Sequence, residues 1–211
     1  IIATDGDIIL LKNKYPVIEE ADQLVLIEGR KCVGDIPEYS KEHLYRVFSF
    51  GMHHWARMRF SGKYDTVLFF KNYGPYSGGK IRHPHMQLVG FPKFRPEFSF
   101  RRAEFEGLTV AEQDGVTLNL STQPRVGFWE INIVPQDPDA IRTIADYIQI
   151  AVDFLRKRLD SYNIFFYHDR ADIFIKVMPR FSTSPLFIGY NIRLLPSNLA
   201  EMRDRMRALY F

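Results

Sequence analysis

The strongest constraint on this chain is that it runs through one order of elements twice. IIAT and DIILL flank Asp5-Gly6, a tight-turn pair, and read as a β-hairpin. QLVLIEG follows as a short apolar strand. Ser40 is placed to cap a helix with Glu42 in its first turn, and Leu44, Val47, Phe48, Trp55 and Met58 recur near helical spacing. Gly51 weakens that helix without breaking it, and Gly62 is its expected stop. TVLFFKNY and HMQLVGFP complete the first round. The second round has a hairpin around Asp114-Gly115, the strand FWEINIV, a long helix, and the strands NIFFY and DIFIKVMP. Asp137 is the expected cap of the long helix and Pro138 its first residue. Ile141, Ile144, Ala145, Ile148, Val152, Leu155 and Leu159 make its buried stripe. Ser197 is the expected cap of a short final helix. The repeat predicts an α+β fold of two related halves, residues 1–95 and 96–211, each with an antiparallel sheet and a helix.

Composition sets the class of partner. Hydrophobic residues make up 46% of the 211, enough for a packed core. The net charge of +3 is too small to argue for nucleic acid or an anionic membrane surface as partner. No apolar run reaches the span of a membrane helix, and no signal-peptide pattern is present. The single cysteine, Cys32, excludes an internal disulfide and fits a reducing, cytoplasmic compartment. The chain starts at Ile1 rather than Met, so residues upstream are expected.

One stretch carries chemistry. NYGPYSGGKIRHPHMQLVGFP, from Asn72 to Pro92, puts His83, His85 and Gln87 at alternate positions after a glycine-rich turn. Alternation on a strand gives these three one face, with Pro84, Met86 and Leu88 on the other. Pro84 lacks a ladder donor, which predicts a strand start at an edge or a bulge. Gly74, Gly78 and Gly79 permit a tight turn whose N–H groups can line an anion-binding concavity. An imidazole beside such a cradle can attack phosphorus, provided its other nitrogen is held by an acceptor. Gln87 can donate to a phosphoryl oxygen as charge develops. The pattern alone also fits surface histidines or metal ligands.

NYGPYSGGKIRHPHMQ resembles the histidine-triad superfamily, in its branch containing galactose-1-phosphate uridylyltransferase and diadenosine tetraphosphate phosphorylase. Those enzymes carry an Asn-x-Gly turn, a small-residue loop and His-x-His-x-Gln; the transferase pattern HPHGQ stands here as HPHMQ. LKNKYP and YNIFFYHDRADIFIKVMPR look like further segments of the same branch. The resemblance implies a HIT-like fold in which the two halves pair as an intramolecular pseudo-dimer. It implies His85 as the nucleophile of a covalent nucleotidyl-histidine intermediate and Gln87 as the residue holding the reacting phosphate. It implies nucleotide contacts from Asn13 and Lys14 at the base or ribose, and from Asn72, Gly74, Ser77, Gly78, Gly79 and Lys80 at the phosphates. Lys80 stands where the related enzymes usually have serine. His83 matches a structural zinc ligand of some transferases. The Cys-x-x-Cys pair of those zinc sites is missing. Cys32 is chemically suited to zinc, so Cys32 and His83 would make half of a tetrahedral site whose remainder lies upstream of Ile1. The competing expectation for Cys32 is a buried free thiol. The second copy carries Asp172, Phe174 and Lys176 near the place of the histidines, so it lacks catalytic histidines.

Other features weigh less. His53-His54 are adjacent on a helix and do not face one another, which excludes chelation by the pair. The Arg/Phe-rich run from Phe91 to Phe105 reads as a link between the halves, with stacking on single-stranded nucleic acid as the minor reading. EMRDRMRALYF reads as the exposed face of a docked amphipathic helix. The expected activity is that of a nucleotidyltransferase, phosphorylase or hydrolase acting at an α-phosphate through His85. The substrate is a nucleotide or nucleotide-sugar, and a homodimer is compatible with this. The alternative is a non-catalytic nucleotide-binding protein that kept the pocket.

Overall fold

A computed structural model describes residues 1–79, 81–93, 100–183, 189, 192 and 195–211. The chain divides into two units, 1–72 with 80–99 and 73–79 with 100–211. In the first unit the hairpin β1 (Ala3–Asp5) and β2 (Ile8–Lys12) turns at Gly6, whose φ of +62° suits glycine. Then come β3 (Asp22–Ile27), α1 (Lys41–Arg59), β4 (Thr66–Tyr73) and β5 (His85–Phe91). The strands lie in the order β1-β2-β3-β5-β4, with every neighbouring pair antiparallel. Ser40 caps α1 as expected, its hydroxyl accepting from the His43 N–H at 3.3 Å. The helix ends at Arg59, ahead of the expected stop at Gly62, which instead bends the following turn at φ +71°.

Gly51 has a packing purpose. A Cβ there would lie 2.7 Å from Phe69 Cζ and 3.2 Å from Leu26 Cδ1, so glycine lets α1 settle onto the sheet. Leu26 is paired with Met86, and Phe69 with Leu88. Directly opposed residues share a face. Leu26, Met86, Phe69 and Leu88 therefore mark the face covered by α1, and His85 and Gln87 point to the other.

The second unit contains β6 (Gly107–Gln113), β7 (Val116–Ser121), β8 (Ile131–Pro135), α2 (Ile141–Arg156), β9 (Tyr162–Asp169), β10 (Asp172–Pro179) and α3 (Leu199–Tyr210). Its order is β6-β7-β8-β10-β9, the same topology as the first unit. Two expected caps shift. Asp137 Oδ1 accepts from the Asp139 N–H at 2.9 Å in a turn, so α2 begins at Ile141 with Ala140 before it, and Pro138 lies outside. Leu159 falls past the end of α2, its N–H still bonded to the Leu155 carbonyl at 2.8 Å. α3 is preceded by Asn198 rather than Ser197, and the Asn198 side chain accepts from Trp129 Nε1 at 3.0 Å instead of capping. Met202 and Met206 are the buried face of α3, which packs on β6 and β7 as the expected docked helix.

The face of the second sheet that matches the His85 face is closed by a buried charge cluster. Lys176 pairs across with Asn132 and Phe165, as Gln87 pairs with Val25 and Phe70 in the first unit. Its ammonium donates to the Glu104 carbonyl and to Asn132 Oδ1, each at 2.8 Å, and meets Glu130 Oε2 at 2.9 Å. Three acceptors satisfy its three donors. Lys176 and Glu130 are both 0% exposed. Burial pulls the Lys176 pKa down, against the attraction of Glu130. Removing one partner of a buried ion pair strands the other charge, at a cost of about 3–5 kcal/mol. Lys176→Met should therefore lower the unfolding free energy extrapolated from urea titration by an amount in that range, with a lower midpoint. An unchanged midpoint would mean that Glu130 does not depend on this ammonium.

Candidate active site

β3 and β5 build the site of the first unit together. Ile27 is the last residue of the β3 ladder and is paired with His85, the first of β5. Just beyond, the Glu28 N–H donates to the Pro84 carbonyl at 3.1 Å. Pro84 is thus not at a sheet edge, because β5 lies between β3 and β4. The β4 ladder with β5 runs from the Thr66–Phe91 pair and ends at the Lys71–Met86 pair. The missing N–H of Pro84 falls past that point and costs no ladder bond.

His83 lies just ahead of the strand, so it does not continue the alternating face. Its Nε2–H donates to the Gly29 carbonyl at 2.7 Å. His85 Nδ1–H donates in turn to the carbonyl of His83 at 2.8 Å. A carbonyl can only accept, which assigns the proton to Nδ1 and leaves Nε2 with its lone pair. His85 is 5% exposed. Burial depresses its pKa most; the bond to His83 raises it, Lys71 lowers it and Glu28 raises it. Gln87 is half-buried on the same strand and the same face.

Three residues outside the sequence expectations hold this frame. Lys71 Nζ meets Glu28 Oε1 at 2.5 Å, with both side chains essentially buried at 1% and 0%. The Tyr39 hydroxyl donates to Glu28 Oε2 at 2.6 Å. Burial, then the Glu28 charge, pushes the Tyr39 pKa up, so it stays a donor. Lys71 is opposite Met86, so this cluster lies on the α1 side of the sheet, behind His85. The signal was present in the sequence: TVLFFKNY and VLIEG each place one charge inside an apolar run, as IFIKVMP and FWEINIV do in the second half.

The glycine loop, residues 73–79, is itself part of the second unit. Gly74, at φ +84°, has no room for a Cβ, which would stand 2.0 Å from the Asp160 carbonyl oxygen. The Tyr76 N–H donates to Ser161 Oγ at 3.0 Å, and Asn163 Nδ2 donates to the Ser77 carbonyl at 3.1 Å. Tyr73 stacks on Tyr162 with centroids 5.1 Å apart. Ser77 is buried; its hydroxyl donates to the Gly74 carbonyl at 2.7 Å and accepts from the Gly79 N–H at 3.2 Å. The expected open row of loop N–H groups is therefore partly spent within the loop, because Ser77 captures Gly79. Gly78 turns at φ +87° and is exposed. Asn72 is half-buried at the end of the first unit. Lys80 and much of the Arg/Phe-rich run, residues 94–99, lie outside the described residues.

Asn13 pins its own turn, with Oδ1 accepting from the Tyr15 N–H at 3.0 Å, and Lys14 is exposed over the Tyr15 ring. Cys32 is exposed rather than buried, which overturns the expectation of a core thiol; it lies in an irregular loop ahead of α1. His83 Nε2 is committed to Gly29, Cys32 Sγ lies 4.0 Å from the Arg30 carbonyl, and no group of three metal-ligating side chains occurs among the described residues. Among the described residues no helix is long and apolar enough to cross a membrane.

Comparison with known proteins places this geometry. Models of the N-terminal and C-terminal domains of DUF4931, a domain of unknown function, match residues 1–94 and 97–211. The chain belongs to the DUF4931 family. A crystal structure of a DUF4931 family protein from Bacillus cereus ATCC 10987 is 36% identical, with a TM-score of 0.88 over 99% of this chain and 98% of that one. A uridylyltransferase structure has a TM-score of 0.80 at 15% identity, over 97% of this DUF4931 chain and 86% of the other. An ADP-glucose phosphorylase from Arabidopsis thaliana, solved with bound ADP-glucose, gives 0.77 at 15%, over 95% and 82%. No match is found among curated protein sequences. The fold is thus the one shared with these uridylyltransferase and ADP-glucose phosphorylase structures, as the HPHMQ resemblance implied.

The depressed pKa of His85 has a consequence for stability. An ordinary histidine titrates near about 6.5. The folded state takes up this proton less readily than the unfolded chain. Stability from His85 is therefore complete above the ordinary histidine range and is lost as pH falls through it. Urea midpoints of wild type should drop between pH 8 and 5.5 by more than those of His85→Gln. Equal drops would show that the buried ring contributes nothing to the acid sensitivity.

Proposed function

We infer that the protein catalyses nucleotidyl transfer, phosphorolysis or hydrolysis at the α-phosphate of a nucleoside-phosphate ester through nucleotidylated His85. One observation carries this reading: the His83 carbonyl holds the proton of His85 on Nδ1 and leaves Nε2 unprotonated in a buried site. The lone pair of Nε2 attacks the α-phosphorus. A P–N bond forms, the P–O bond to the leaving group breaks, and the leaving group departs with the bonding pair as a phosphate or sugar-phosphate anion. An oxygen of phosphate, a sugar phosphate or water then attacks the same phosphorus, the P–N electrons return to Nε2, and, where water is the acceptor, its proton is released to solvent. Gln87 donates to a phosphoryl oxygen as charge builds. Uridylyltransferase and ADP-glucose phosphorylase structures sharing the fold support a nucleotide or nucleotide-sugar as substrate.

The test is covalent labelling. Wild-type protein incubated with UDP-sugars, ADP-sugars and dinucleoside polyphosphates should gain the mass of one nucleotidyl group. The bond should be acid-labile and alkali-stable, as expected of a phosphoramidate on imidazole. His85→Ala should bind nucleotide and form no adduct, since the pathway is gone. Gln87→Ala should label about 10²–10³-fold more slowly, the usual cost of one transition-state donor. Tight nucleotide binding with no adduct in rapid-quench trials across the panel would leave a non-catalytic nucleotide-binding protein as the better account.

A further inference from the structure

The second unit contains a cavity of about 300 Å³ that the His85 chemistry does not use. Its lining includes Arg125, Phe128, Phe165, Tyr167, Arg180 and Phe181. We propose that this cavity is a second, non-catalytic nucleotide site that stacks a base between its aromatic walls and takes the phosphate on Arg180.

The wall is built rather than incidental. The buried Glu130 carboxylate accepts from three consecutive backbone N–H groups, Arg125 and Val126 at 2.7 Å and Gly127 at 3.2 Å. Lys176 neutralises that carboxylate from below. So held, Gly127 runs at φ +141° and Phe128 at φ +66°. A phenylalanine in the left-handed region is strained, and such strain persists only where the surroundings enforce it. Phe128 meets Phe181 edge-on, with ring centroids 4.2 Å apart. Phe165 and Tyr167 lie on β9 and Met178 on β10, so the floor is sheet and the rim is loop.

The charges indicate an anion. The Arg125 guanidinium lies over Tyr167 at 5.5 Å and is countered by Glu104 Oε2 at 2.9 Å. Arg180 differs: its Nη1 donates to the neutral amide oxygen of Asn163 at 2.7 Å. That contact orients the fork without cancelling its charge. Guanidinium forks match phosphate geometry, and aromatic faces stack bases of any identity. A planar ring bearing phosphate satisfies both. The cavity beside the β2–β3 loop, at the topologically matching place in the first unit, is lined by Glu19, Glu20, Asp22 and Lys93 and has no aromatic ring in its lining to stack a base.

The test is photo-crosslinking of the full chain with 8-azido-AMP, followed by peptide mapping. Label is expected in segment 125–128 or 165–183, competed by AMP, with adenosine or inorganic phosphate alone competing at least about tenfold less well. Arg180→Gln should weaken that labelling about ten- to a hundredfold, the usual effect of losing one charge-assisted hydrogen bond. Phe128→Ala should weaken it too. Absence of label from both segments in wild type would overturn the proposal, as would equal competition by adenosine or full labelling of Arg180→Gln. The wild-type map decides even if a variant misfolds. The His85 adduct is read separately by intact mass: its loss with the crosslink retained sinks only the nucleophile reading, and the reverse sinks only this site.

Discussion

The hydrogen bond from His85 Nδ1 to the His83 carbonyl is the contact on which the rest of the site depends. It determines which nitrogen can react. The bond requires the His83–Pro84 segment to stay fixed, and two contacts from the end of β3 fix it: Glu28 N–H to the Pro84 carbonyl, and the His83 ring to the Gly29 carbonyl. Glu28 is itself immobilised from the α1 side by Lys71 and Tyr39. A buried carboxylate with both oxygens engaged cannot move without stranding a charge. Electrostatic anchoring behind the sheet is thereby converted into a defined tautomer on its opposite face.

The two units put the same topology to opposite uses. In the first, the strand between β3 and β4 presents His85 and Gln87 on a face with half-buried neighbours. In the second, the corresponding strand presents Lys176, and the short turn Arg102–Phe105 closes over it through the Glu104 carbonyl. Glu130, neutralised by Lys176, shapes the loop that carries Phe128.

Much of this was legible in the chain. The doubled order of elements predicted both sheets, because hairpin turns at Asp5-Gly6 and Asp114-Gly115 and alternating apolar runs are local signals. The Ser40 cap was legible for the same reason. Asp137 misled, because an Asx turn competes for the same carboxylate that would cap a helix. The edge position expected of Pro84 failed because a strand can end its ladder on one side before the other, which depends on the partner strand. The role of His83 as donor to Gly29 was hidden, since residues 54 apart in sequence show no spacing pattern. The attachment of the glycine loop to Ser161 and Asn163 was hidden in the same way. The buried lysine–glutamate pairs left a trace, a lone charge within each apolar run, but the run does not name its partner.

The central claim is the tautomer of His85. A ¹⁵N–¹H long-range correlation spectrum of imidazole-labelled protein near neutral pH reads it directly, with His85→Gln assigning the signals. The account predicts a neutral ring with the proton on Nδ1 and an Nε2 shift typical of an unprotonated nitrogen. An Nε2–H tautomer, or an imidazolium at neutral pH, would contradict it.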